Sequence, residues 1–162
     1  MCITINSHRK VKIMKMSPEM IKAQENMKPG VITAEGFLGE DDRNLVDIIL
    51  QDEQEMAALK LDFDKVAQKL KKLLEVGEKG LGEPITYENF EIFVYEARGF
   101  LACPFEDGIF RKKVAVVKNL KNNETIMYSD LSIHLLEKHH FLQGKGSKFR
   151  LEPEKIKKVL FD

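Results

Sequence analysis

The chain has 162 residues, 43% of them hydrophobic and 32% charged, which fits one globular domain over residues 1–162 with a core large enough to need no disulfide. Its 26 basic and 26 acidic residues cancel, which argues against a globally basic nucleic-acid binder and against an acidic solvating tail. Two cysteines, Cys2 and Cys103, give no disulfide framework, and no apolar run approaches the roughly 18 residues of a membrane span or forms a secretory leader, so a cytoplasmic protein is expected.

Residues 1–16 carry weak alternation and read as a frayed or edge-paired extension, with a candidate strand at Met1–Ile5. Ser17-Pro18-Glu19 opens the first helix: a capping hydroxyl, a proline suited to the first turn, and a carboxylate at the positive end of the dipole. Pro29-Gly30 stops it. Asp41 and Asp42 are expected to open the second helix, whose buried side is Leu45, Ile48, Ile49, Met56 and Leu59, with Asp52 interrupting the stripe. In the third helix Phe63, Val66, Ala67, Leu70, Leu73 and Leu74 follow the helical period without a miss. Asp62 caps it, Leu61 and Val66 form a hydrophobic staple, and Gly77 or Gly80 is the expected stop.

From Gly82 the period changes. Ile85–Tyr87 is a short strand, and Phe90–Ala97 is a longer one apolar on both faces, hence central. Arg98-Gly99 reads as a bulge or tight turn, after which Phe100–Cys103 continues as strand until Pro104. Asp107-Gly108 is a turn, and Lys113–Lys118 pairs with Thr125–Tyr128 around Asn122-Asn123. Ser129 caps a helix over 130–138, Gly144-Lys145-Gly146-Ser147 is a flexible loop, and Pro153 starts a last short helix. The fold expected is α+β: a mostly antiparallel sheet over about residues 85–128, packed against N-terminal helices, with two short C-terminal helices.

The common nucleotide, hydrolase and metalloprotease signatures are missing. Three residue sets carry chemistry instead. His134, His139 and His140, with Asp130 nearby and Cys103 elsewhere, have the donor types of a site for a transition metal such as zinc. Asp130 and His134 share a helix face, whereas His134 and His139 stand about 140° apart and converge only if the helix ends near Lys138. The plainer account places His139 and His140 at a helix C-terminus, where the dipole favours them. Cys103 by itself reads as a buried structural thiol.

The second set is basic: Arg111, Lys112 and Lys113 on the hairpin, and Lys145, Lys148 and Arg150 around the Gly-Lys-Gly-Ser loop. Such residues neutralise phosphates, and glycine lets backbone N–H groups approach an anion, although charged hairpins are more often simply solvated. The third set is Glu96, Glu106 and Asp107 beside Arg98, a pool of carboxylates whose separation the sequence leaves open. Three functions are therefore expected in competition. One is a non-catalytic module binding nucleic acid or a phosphorylated ligand. The second is a metal-dependent enzyme using the histidine cluster. The third is a protein–protein adaptor or homodimer.

Overall fold

The computed structural model describes residues 16–162; the candidate strand at 1–5 and the rest of the segment before Met16 lie outside them. The elements in chain order are α1 (Pro18–Asn26), α2 (Leu45–Ala58), α3 (Phe63–Glu78), β1 (Ile85–Tyr87), β2 (Phe90–Ala102), β3 (Ile109–Asn119), β4 (Thr125–Ser129), α4 (Asp130–His139) and α5 (Pro153–Leu160). The four strands form one antiparallel sheet in the order β1-β2-β3-β4, so the α+β expectation is met and the doubly apolar β2 is an inner strand. The register shifts between Ala97 and Phe100, where Gly99 takes a φ of +96°, so 90–97 and 100–102 are one bulged strand rather than two.

The caps explain most helix limits. Ser17 Oγ accepts from the Met20 N–H, Asp62 from Asp64 and Lys65, and Ser129 from Ser132 in a reciprocal capping box. The start of α2 differs from expectation. Asn44, not Asp41 or Asp42, caps it, because the Asp41 carboxylate is already held by the Arg43 guanidinium and the Lys145 N–H. The end of α3 falls at the Lys79 cap, just before Gly80, which is one of the two expected stops. Gly77 stays helical because the chain needs a bare backbone there: a Cβ would collide with the Ile92 and Val94 methyl groups of β2.

Two apolar clusters result. The larger packs α3 on the sheet through Val66, Leu70, Leu73, Ile92, Val94 and Val117, and adds Ile133, Leu136 and α5. Inside it the Tyr128 hydroxyl donates to the Leu70 carbonyl at 2.8 Å, and Asn119 donates to the carbonyls of Lys158 and Val159 at the end of α5. The smaller cluster joins α1, α2 and α4 through Ala23, Met27, Leu45, Ile48, Leu131 and Leu135, with Cys103 and Phe141 among them.

One polar link crosses between these parts. Asp52, the residue that breaks the α2 stripe, is 1% exposed and receives both terminal nitrogens of Arg150, itself 5% exposed, at 2.5 and 2.8 Å. Arg150 also donates to Glu152 and to the Gln143 carbonyl. Removing one partner of such a pair strands a buried charge, at about 3–5 kcal/mol, while an apolar replacement of both is far milder. We expect Arg150→Met to lose stability on that scale in urea unfolding, and Asp52→Leu with Arg150→Met to recover most of it. Equal losses from the single and double variants would show that the pair itself stabilises the fold.

Candidate metal centre

β2 ends at Ala102, and the chain returns into β3 at Ile109 through Cys103-Pro104-Phe105-Glu106-Asp107-Gly108. The turn is fixed by its own backbone: the Cys103 N–H donates to the Gly108 carbonyl and the Glu106 N–H to the Cys103 carbonyl, both at 2.9 Å. Asn26 at the end of α1 clamps it further by donating to the Pro104 carbonyl and to the Glu106 carboxylate. Glu106 sits at a φ of +63°, an unusual conformation for a residue other than glycine, directly before Asp107.

Helix α4 runs beside this turn. His134 Nε2 lies 2.9 Å from one Asp107 oxygen, and His139 Nε2 lies 2.7 Å from the other. The Cys103 sulfur completes the group, and the four donor atoms all lie within 4.8 Å of one another. Both histidines are helical, so they remain about 140° apart and reach the two oxygens of Asp107 from either side of the Leu131–Leu135 face. His139 is the last helical residue, and His140 turns into the left-handed region at a φ of +53°. The two imidazoles then stand edge to face, 5.4 Å between centroids. The Phe105 ring stacks on His139 at 3.9 Å, and Phe110 leans on His134 at 4.5 Å, so both rings are walled by aromatics.

The electrostatics follow from this packing. Burial pushes the Cys103 thiol up to about 12, helped by the Asp107 carboxylate beside it, although the N–H groups of Phe105 and Asp107 favour the thiolate. Burial would raise the Asp107 carboxyl, but hydrogen bonds from Cys103, His134 and His139 outweigh it and hold it well below the usual carboxylate range. Burial lowers His139, against the pull of Asp107, so this imidazole is neutral near pH 7. A nucleophilic cysteine needs its thiolate, favoured by an adjacent base or a positive neighbourhood. Here both Nε2 atoms contact Asp107 and the thiol is held protonated, so the arrangement is poor for thiol chemistry. The four donor atoms within 4.8 Å of one another could instead hold a cation.

The other residues named from the sequence go elsewhere. His140 points away from the group, with Nδ1 2.7 Å from Glu53 and its ring stacked on Phe63 at 3.9 Å. Asp130 stays in the first turn of α4, one helical turn before His134, outside the four-donor group. Asp107, read from the sequence as a turn residue and one of three loose carboxylates, takes the fourth place. The signal for it was the pair of spacings Cys-x3-Asp and His-x4-His, which acquires meaning only once hairpin and helix are seen side by side.

The basic set is dispersed. Arg150 is the buried partner of Asp52, Arg111 pairs with Glu96 at 3.3 Å, and Lys113 with Glu78 at 3.2 Å. Lys112, Lys145 and Lys148 make no ion pair among the described residues. The Gly-Lys-Gly-Ser loop turns its N–H groups inward: Gly144 donates to the Phe37 carbonyl, Lys145 to the Asp41 carboxylate and Ser147 to the Gly144 carbonyl. It is zipped to the 36–41 segment, where Gly39 leaves room that a Cβ would fill against the Lys145–Ser147 backbone.

No helix among the described residues is long and apolar enough to cross a membrane. The chain matches no protein family, no curated protein and no solved structure. The fold and the site therefore define an α+β protein with a mixed thiol, carboxylate and imidazole cluster.

The loop junction has an acid-sensitive member. The Arg43 guanidinium above all, and then the Lys145 N–H, hold the Asp41 carboxyl at about 2 against the opposing effect of burial. Its folded value lies below the model-peptide 3.8, so the stabilisation it contributes is complete above about pH 4 and is lost as pH falls through about 2. Asp41→Asn is expected to unfold at lower urea than the parent at pH 7, with the gap closing below pH 4. A gap independent of pH would assign the effect to packing rather than charge.

Proposed function

We propose that this protein is a metal-dependent protein in which Cys103, Asp107, His134 and His139 together hold one transition-metal ion of the zinc type. The observation that carries the reading is the convergence of four donor atoms, from a hairpin turn and a helix some thirty residues apart, within 4.8 Å. One sulfur, one carboxylate oxygen and two imidazole nitrogens form a borderline-soft set, which favours zinc over magnesium or calcium. A tetrahedral zinc with bonds of about 2.0–2.3 Å keeps neighbouring donors about 3.3–3.6 Å apart. The contacts between Asp107 and the histidines, 2.9 and 2.7 Å, are shorter than this edge, and the upper bound of 4.8 Å across the group exceeds it. Small side-chain shifts without backbone rearrangement therefore reach the coordination geometry.

An ion here would join the hairpin turn to α4 and supply Lewis-acid chemistry at the surface, which supports the metal-dependent enzyme among the readings open from sequence. The module for an anionic partner has less to rest on: Arg150 is saturated inside the fold, and the glycine loop spends its N–H groups internally.

The test is elemental analysis of untagged protein after exhaustive dialysis. Close to one zinc, cobalt or iron ion per chain is expected, with a rise in melting temperature when zinc is returned to chelated protein. Cys103→Ser and His134→Ala should each lose most of the metal, while His140→Ala and Asp130→Asn keep it. A parent chain that carries no metal and gains no stability from zinc would leave the cluster as a hydrogen-bond network.

A further inference from the structure

We infer that Asp107 is the exchangeable member of this donor set, so that the ion offers one coordination position to solvent and binds a small anionic oxygen or nitrogen ligand there. The inference rests on the metal-binding reading above. It separates a metal centre with an open position from the closed four-ligand centre that a purely structural ion would have.

The asymmetry of the four donors carries it. Cys103 is 1% exposed, locked by two backbone hydrogen bonds of its turn, and packed in the smaller core cluster. His134 and His139 stand on α4, whose other faces are buried through Leu131, Leu135 and Leu136, and each ring lies against a phenylalanine. None of these three can leave the ion without unpacking core. Asp107 differs on each count. Its side chain is 40% exposed, it sits between the left-handed Glu106 and Gly108, and its carboxylate contacts only the other donors. Turning it outward moves a carboxylate into water that it already touches.

Charge points the same way. A divalent ion held by one thiolate and two neutral imidazoles carries a net positive charge once the carboxylate withdraws. The position that Asp107 vacates therefore selects an anion or the hydroxide of an acidified water. The aromatic wall of Phe105 and Phe110 covers the histidine side, so an incoming ligand approaches from the Asp107 side.

The experiment uses the full chain loaded with Co2+, whose visible bands report coordination number and whose near-ultraviolet band reports a thiolate ligand. Azide and acetohydroxamate are titrated into the parent, Asp107→Ala and Asp107→Asn proteins. We expect a thiolate-to-cobalt band in all three, saturable shifts of the visible bands in the parent, and tighter binding of both probes in the two variants, where no carboxylate competes. A parent protein with no thiolate-to-cobalt band overturns the metal reading and this inference together. A parent with the band but visible spectra that neither probe changes, in any of the three proteins, overturns this inference alone and makes the centre a closed one. Loss of cobalt from both folded Asp107 variants also overturns it alone, because Asp107 would then be an anchoring ligand.

Discussion

Helix α4 has to satisfy two cores at once, and the site depends on that constraint. Ile133 and Leu136 belong to the larger cluster with α3 and the sheet, whereas Leu131 and Leu135 belong to the smaller one with α1 and α2. A helix gripped on two sides has little freedom to rotate or slide. His134 and His139 flank the Leu131–Leu135 face, about 140° apart around the axis, and reach the Asp107 carboxylate of the β2–β3 turn from its two sides. The capping box at Ser129 fixes the start of the helix, and the left-handed His140 fixes its end, so the axial position of both imidazoles is set as well. Their aim at Asp107 is a consequence of core packing before it is a matter of local histidine chemistry.

The turn that meets α4 is held from the opposite side. Asn26 ties it to the end of α1, and the smaller cluster surrounds Cys103. The segment after α4 is anchored by the Asp52–Arg150 pair and by the interlocked 36–41 and 143–147 loops. Asp52 looks like a fault in the α2 stripe when read alone. Paired with Arg150, it fastens the segment between α4 and α5 to α2. Glu53, the next residue, takes His140 by hydrogen bond and so removes it from the group that contains His139.

Much of the fold was legible because local chemistry and periodicity agree along the chain. The stripe from Val66 to Leu74, the caps at Ser17, Asp62 and Ser129, the bulge at Arg98-Gly99 and the left-handed Asn123 all carry their cause in neighbouring residues. The differences have a common origin in distant partners. Asp41 does not cap α2 because Arg43 and Lys145 claim it, and of the two glycines expected to stop α3 the packing of β2 against Gly77 leaves Gly80 as the stop. The candidate site follows the same rule. Cys103, His134 and His139 were visible as donor types, but choosing between Asp107 and Asp130 required knowing which turn faces α4. Asp130 was attractive because it lies one helical turn from His134, yet sharing a face at that spacing does not make two side chains converge on a third point. In the basic set, Arg111, Lys113 and Arg150 are spent on separate acidic partners, whereas Lys112, Lys145 and Lys148 make no ion pair among the described residues.

The charge balance of the cluster sets what a dication would have to change in it. A thiol pushed up to about 12 and a carboxylate held well below its usual range are one proton apart from a matched pair of anions. The two imidazoles add nitrogen donors, and the aromatic rings around them supply little solvation for any unbalanced ion. On the proposed reading, a divalent metal that displaced the Cys103 proton would cancel the thiolate and the carboxylate together, leaving a neutral centre beside the Phe105 and Phe110 rings. That neutrality also fixes where reactivity would arise. It would be broken when Asp107, the most exposed of the four donors, withdraws, and the positive charge would then face the side from which a ligand can enter.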